Sequence, residues 1–379
     1  MPTGVGATTV ANDPSTQGLP FVADPAAFFA STERNVWTAA QFGAPGDGVT
    51  ERRQLPATGI LAKLKIVFVG TVDVTNGTAG TTTSTDLWPY GLIDQLVISA
   101  NAQNDIISCS GNDLMALRHV RHPGFLIAND THDVYTGGLG AAHAVTDGDL
   151  ILTWEVPVAI DPATLVGALY AQSRAMYLEL RLRQAMTADL LVIGGTAIAP
   201  VIAGTFFVEV ESFDIPLVGD AKSRNLVVPD LSRLHGYQAH LVPITAVGET
   251  RAPLIQTNGQ LDRLIFQAWE ATPYADATDR VLSAEPDAAE LDAVRMEYGA
   301  AQRPLDYNPA GFLMGANIEH YGHALPQDYY AIDLLAENPP RDVILMTGVT
   351  DLNLVVTLNA AVVLAAGSAV HMVQETLLS

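Results

Sequence analysis

From Tyr177 to Arg183 the chain alternates without a break: Leu178, Leu180 and Leu182 are apolar, and Tyr177, Glu179, Arg181 and Arg183 stand between them. A period of two sends neighbouring side chains to opposite faces, so this is a strand with one buried and one wet face. Leu64, Ile66 and Phe68 alternate with Lys63, Lys65 and Val67; Leu152, Trp154, Val156 and Val158 with Thr153 and Glu155; Phe206, Val208 and Val210 with Glu209 and Glu211. Strands wetted on one face belong to antiparallel sheets. Few helical stretches reach ten residues, which argues against a doubly wound α/β fold and for an all-β one.

The densest signal runs from Leu87 to Arg121. Trp88-Pro89-Tyr90 reads as a turn, Leu92–Ser99 as a strand, Asn101–Asn104 as a polar turn, Ile106–Ser110 as a second strand, and Leu114–Arg118 as a short helix. Ser110 or Asn112 can cap that helix, and His122-Pro123-Gly124 stops it. Leu114 and Leu117, three apart, share its buried face.

The pattern then returns. Tyr237–Val247 follows Ala62–Val72, Leu261–Phe266 follows Ile93–Ile98, and Leu291–Arg295 follows Leu114–Arg118 as a second Leu-x-Ala-(Leu/Val)-Arg. Tyr330–Leu334 answers Leu152–Val156, Leu352–Leu354 answers Leu178–Leu180, and Gly367–Glu375 answers Gly204–Glu211. Six matches in one order imply a duplicated β-sandwich. About eight short strands and one helix per copy suit two jelly rolls in tandem, with short helices in loops. The expected division is an N-terminal arm over 1–55, a first jelly roll over 56–215, a linker over 216–235 and a second jelly roll over 236–379. Phe28, Phe29 and Trp37 would anchor the arm, with a short helix inside 26–40.

The chain has 379 residues, 49% of them apolar, enough for a sizeable core. A net charge of −22, with lysine only at 63, 65 and 222, argues against direct nucleic-acid binding. A single cysteine, Cys109, excludes an intrachain disulfide and a cysteine zinc cluster. No signal peptide is evident, and the apolar run Leu190–Val208 is broken by Gly194-Gly195, Pro200 and Gly204, which makes a poor membrane helix. Synthesis in a cytoplasm is expected.

Leu55-Pro56-x-Thr58-Gly59-Ile60-Leu61, Asp86–Ile93, Ser110-Gly111-x-Asp113-Leu114, Asp351–Val356 and Val370–Leu377 together resemble the major capsid proteins with a double jelly roll, as in tailless, internal-membrane (tectivirus-like) bacteriophages. The resemblance spans roughly Leu55–Leu378. It implies a structural protein and not an enzyme: a homotrimer whose six barrels make a pseudo-hexagonal tile of an icosahedral virion shell. The implied partners are other copies, minor capsid, vertex or membrane-linked virion proteins and the internal membrane. The acidic charge confines lipid contact to adaptors or to basic spots at Arg34 and Arg52-Arg53. The loops Gly124–Asp149 and Ala271–Glu290 would form towers or trimer contacts. No catalytic, cofactor or metal residues are implied.

Two other classes compete. A bicupin-like metal enzyme is also a duplicated β-barrel, but it needs His and carboxylate ligands converging inside the barrel. His320 and His323 are three apart, which on a strand sends the rings to opposite faces; His235 and His240 flank Tyr237, and loop or surface positions suit all four. His119 and His122, beside Arg118 and Arg121, suit a helix C-terminus. Gly137-Gly138-x-Gly140 lacks the Lys-Ser/Thr of a phosphate loop. Asp147, Asp149 and Asp189 sit in turns, Cys109 has no nearby base, and Trp88, Trp154 and Trp269 read as core aromatics. A phage tail or carbohydrate-binding module would show exposed aromatic rows, whereas the outward positions are mostly Glu, Arg, Thr and Asn.

Overall fold

A computed structural model describes residues 28–378, except 31, 45, 57–58, 76–80, 86, 102–103, 123–133, 136–144, 162–163, 172–176, 195–197, 215–230, 232, 256–258, 273–280, 285–289, 299–301, 335–343, 347–348 and 350. The first sandwich contains β1 (Glu33–Gly43), β2 (Thr50–Gln54), β3 (Ile60–Thr75), β4 (Ile93–Ala100), β5 (Asn104–Cys109), β6 (Val145–Pro157), β7 (Leu178–Gln184) and β8 (Ile198–Asp214). Helix α1 (Gly111–Arg121) joins β5 towards β6. The second sandwich contains β9 (Leu234–Pro243), β10 (Glu249–Pro253), β11 (Gln260–Trp269), β12 (Leu291–Tyr298), β13 (Gln302–Tyr307), β14 (Tyr330–Asp333), β15 (Asn353–Leu358) and β16 (Ala369–Leu378), with α2 (Gly311–Tyr321) after β13.

Strand order makes the duplication explicit. One layer of the first sandwich runs β1-β8-β3-β6 and the other β2-β7-β4-β5. The second sandwich repeats both orders eight labels later, β9-β16-β11-β14 and β10-β15-β12-β13. Two such four-strand layers, with sequence neighbours placed in opposite sheets except for the β4/β5 and β12/β13 hairpins, are a jelly roll, and the chain holds two of them. Each has its own core. Leu64, Ile66, Phe68, Leu152, Trp154 and Phe206 fill the first; Leu264, Phe266, Val294, Met296, Leu354 and Val356 fill the second. These are the inward positions of the period-two pattern.

The arm needs correction. Glu33–Gly43 and Thr50–Gln54 are strands of the first sandwich: β1 pairs with β8, and β2 with β7. Among the described residues of the expected helix only Phe28–Ala30 is helical, and Phe28 and Phe29 pack edge-on against Phe213. Trp37 lies on β1, not on a helix. The expected linker falls mostly outside the described residues, and its last two residues, Leu234 and His235, already belong to β9.

The repeat is real, but its first three matches join the wrong elements. Ala62–Val72 is in β3 and Tyr237–Val247 begins in β9; Ile93–Ile98 is β4 and Leu261–Phe266 is β11; Leu114–Arg118 is helical and Leu291–Arg295 is β12. The last three matches fall on equivalent strands, β6/β14, β7/β15 and β8/β16. Alternation looks alike in every strand, so once β1 and β2 were read as arm, the early matches slipped to later elements. The true partner of α1 is α2: both are 11 residues long and both begin with glycine.

A bulge in β11 between Leu261 and Arg263 turns Asp262 inward. It is fully buried; one oxygen accepts Gln260 Nε2 at 2.6 Å and the other has no partner. Burial raises its pKa from 3.8 to about 6, against the Gln260 hydrogen bond. With the folded value above the ordinary one, its contribution is most favourable below pH 3.8 and is lost as pH rises through about 6. Asp262→Asn should therefore raise the melting stability at pH 8 by up to about 3 kcal/mol and change it little below pH 4, as thermal melts at the two pH values will read.

Candidate assembly interface

The two sandwiches meet along a seam begun by main chain. Tyr237 and Gln238 of β9 run parallel to Ile107 and Ser108 of β5, so the layers β2-β7-β4-β5 and β9-β16-β11-β14 form one continuous sheet. Helix α1 closes the open edge of the first sandwich and packs against the outer face of the second. Its residues from Gly111 to Val120 are all buried. Ser110 Oγ accepts the Asp113 amide at 3.2 Å, and Asp113 Oδ2 accepts the Ser110 amide at 2.8 Å, a complete capping box. Leu114 and Leu117 are buried as expected, and each contributes about 2 kcal/mol of apolar burial. Tyr237, Ile265, Tyr321, Tyr329, Ala331 and Val373 of the second sandwich belong to the same apolar cluster as these leucines. Sharing a core fixes the two sandwiches relative to each other.

Polar groups cross the seam at both ends of α1. At its N-terminus Asp113 Oδ1 accepts Tyr329 Oη at 3.0 Å and His371 Nε2 at 2.7 Å. Burial opposes ionisation of Asp113, but His371 and Ser110 outweigh it and hold the carboxyl below its ordinary range. At the C-terminus Arg121 pairs with Glu375 of β16 and donates to Ile160 O at 3.2 Å. Glu375 also meets Arg263 Nη1 at 2.5 Å and His235 Nε2 at 2.8 Å. Arg263 continues to Asp333 at 2.9 Å, which accepts Tyr321 Oη at 2.9 Å. Although burial opposes the charge on Glu375, Arg121 and Arg263 keep its carboxyl well below the usual range, and burial lowers the pKa of His235. The charges on Glu375 and Asp333 thus meet two guanidinium groups.

Gly167 places His235. Its φ is +80°, and a Cβ there would lie 2.5 Å from the Cβ of His235, whose amide donates to Gly167 O at 3.1 Å.

Histidines expected at loops or surfaces divide. His235 is wholly buried at the seam, a correction; His240 is partly buried on β9, and His320 is exposed on α2. His323 meets His119 edge-on, 5.7 Å between ring centres. His119, near the end of α1, hydrogen-bonds Met115 O at 2.8 Å, and His122 lies 3.4 Å from Glu155. The His122 and Lys63 hydrogen bonds bring Glu155 down to about 2 despite burial. Cys109 is buried, which drives its thiol well up; Trp154 is core, Trp88 is partly buried and Trp269 stacks on His371. Asp147 and Asp149, expected in a turn, are in β6, a correction, and Asp189 is in the helical turn Thr187–Leu190. The Gly137–Gly140 loop and much of Gly124–Asp149 and Ala271–Glu290 lie outside the described residues. The interior where a bicupin would hold its metal is filled by Phe68, Trp154 and Phe206 in contact with one another.

Among the described residues, two surfaces are exposed. The outer face of β1-β8-β3-β6 carries Arg34 bound to Glu211 at 2.7 Å and Lys63 bound to Glu155 at 2.6 Å, with Val36 and Trp37 exposed at its edge. On the second sandwich α2 exposes Phe312 and Ile318. Sequence reasoning found neither these surfaces nor the seam charges. Charged residues inside alternating strands look like a wet face until a second domain covers them.

A comparison with protein-family models finds no match, and neither does one with curated proteins. Solved structures do match. The chain is similar to the crystal structure of the STIV MCP, at 13% identity, covering 91% of this chain and 96% of that one with a TM-score of 0.63. It is similar to a chain of the atomic structure of Sulfolobus turreted icosahedral virus, at 14% identity and 0.63, covering 91% and 90%. A chain of the PBCV-1 virus capsid matches at 14% identity and 0.59, covering 91% and 94%. What is shared at such identity is the fold, a double jelly roll.

Removing Arg121 leaves Glu375 short of one cation in a buried site. Arg121→Ala should lower folding stability by about 3 kcal/mol, read from denaturant unfolding at neutral pH.

Proposed function

We propose that this chain is the major shell protein of an icosahedral virus, acting in the virion by self-assembly as a homotrimer and not by catalysis. One observation carries the reading: two complete jelly rolls, locked side by side by a shared core, in a fold that matches virus capsid structures over 91% of the chain. A single chain then offers two similar but unequal blocks. Three copies give six blocks, which tile a surface hexagonally while keeping true threefold symmetry. Minor capsid, vertex or membrane-linked proteins and the internal membrane are the further partners of such a tile.

Sedimentation of the purified protein should give three times the 40.2 kDa subunit, and electron microscopy of native particles should show pseudo-hexagonal tiles. A stable monomer would overturn the reading. Because β1 and β2 belong to the sandwich, any tie between tiles made by the N-terminus is assigned to residues 1–27. Deleting 1–27 should preserve trimers and impair shell formation, measured by particle yield; undiminished yield removes that role.

A further inference from the structure

Given side-by-side copies, the reading on which this inference rests, the internal duplication fixes which surfaces touch. The registers of β1, β8 and β3 superimpose on those of β9, β16 and β11. Arg34 faces Phe213 and Val36 faces Glu211, as His235 faces Leu377 and Tyr237 faces Glu375. Lys63 faces Glu211 as Arg263 faces Glu375. So Arg34, Val36, Lys63 and Glu211 stand where His235, Tyr237, Arg263 and Glu375 stand in the second sandwich.

The polar contacts repeat with them. Arg34–Glu211 at 2.7 Å answers His235–Glu375 at 2.8 Å, and Lys63–Glu155 at 2.6 Å resembles Arg263–Asp333 at 2.9 Å, although Lys63 faces Pro157 where Arg263 faces Asp333, so Glu155 reaches Lys63 from two positions along β6. His122–Glu155 answers Tyr321–Asp333, each from the end of its own sandwich's helix. Cover is what differs. Tyr237 is 0% exposed beneath α1, whereas its counterpart Val36 is 55% exposed and the adjacent Trp37 is 40% exposed. The helices show the reverse. Asn112 of α1 is 1% exposed, and Phe312, at the same place in α2, is 65% exposed.

One sandwich therefore carries an uncovered face and the other an uncovered helix, and inside the chain the complementary pair is already joined. We infer that the α2 and β13 edge of one copy docks on the β1 edge and outer face of the first sandwich of a second copy, repeating the intrachain seam between subunits. β1 and β13 are end strands of their sheets among the described residues, as β5 would be without β9. Register fixes the pairing. Ile98 faces Ile107 as Met296 faces Leu305, and Leu180 faces Ile98 as Leu354 faces Met296, so Leu305 and Asp306 take the places of Ile107 and Ser108. By the Tyr237/Ile107 and Gln238/Ser108 pairs, Val36 of one copy lies beside Leu305 of the next, and Trp37 beside Asp306.

The electrostatics agree. The intrachain seam needs Arg121 because Glu375 meets a histidine whose charged form burial disfavours. In the first sandwich that histidine is replaced by Arg34, which stays charged, so Glu211 is matched before any partner arrives. Tyr321, in the helical position of Arg121, is then sufficient. The surface is complete as a monomer and docks without leaving a buried unpaired carboxylate.

The test places cysteines at the predicted neighbours. Trp37→Cys with Asp306→Cys, treated with a short bismaleimide, should give two- and three-chain species on a denaturing gel. Ser108→Cys with Gln238→Cys, the intrachain counterpart, should cross-link without any gain in mass, which checks the reagent and the register. Phe312→Glu should weaken trimer formation at least tenfold by sedimentation, with an unchanged circular dichroism spectrum. Trimers whose 37/306 pair gives no multi-chain product, or a Phe312→Glu protein that trimerises as before, would overturn the seam. A monomeric unsubstituted protein would overturn the shell reading itself.

Discussion

Glu375 is a carboxylate with no access to water, and the arrangement of the whole chain depends on how it is neutralised. Isolating such a charge in a protein interior costs several kcal/mol, so its partners must be in place when the domain closes. Arg263 comes from the neighbouring strand of the same sheet, but Arg121 comes from the other sandwich, at the end of a helix. The two jelly rolls are thereby bound to one relative position by a requirement of charge as well as by apolar contact. At the other end of α1, Asp113 combines two duties: it closes the capping box that starts the helix, and it receives Tyr329 and His371 from across the seam. Helix geometry and domain geometry are set by the same side chain.

Duplication gives this arrangement its use. A single jelly roll has an edge closed by a helix and a broad outer face. Two in tandem join one edge to one face and leave one of each. Chemistry then distinguishes the joined pair from the free pair. The joined face holds a histidine whose charged form burial disfavours, together with an added arginine, whereas the free face holds its own arginine. One seam is built to stay closed and the other to exist in both states.

Much of this was legible from alternation. β3, β6, β7 and β8 follow the period-two pattern, and the 87–121 unit folds as strand, turn, strand and capped helix. β1 and β2 escaped for physical reasons. β2 is Thr-Glu-Arg-Arg-Gln, an end strand with no apolar residue, and β1 carries a bulge between Thr38 and Ala40 that breaks its phase. Their loss displaced the first half of the repeat and turned two strands into an arm. The seam was illegible for another reason. Arg263, His371 and Glu375 lie at alternate positions of strands, where a charge reads as facing solvent; only the covering domain makes them interior. A second glycine-led, 11-residue helix at Gly311 was the available signal, since it marks the same position in the second copy as Gly111 does in the first.

The position of β16 in chain order has a consequence for timing. It follows every other strand, yet it brings both His371 and Glu375 to the seam. While the ribosome is still working on the second sandwich, Asp113 and Arg121 lack the groups that will match them, so the first sandwich cannot take its final place against anything. The pair of sandwiches acquires its fixed arrangement only after synthesis has passed His371 and Glu375.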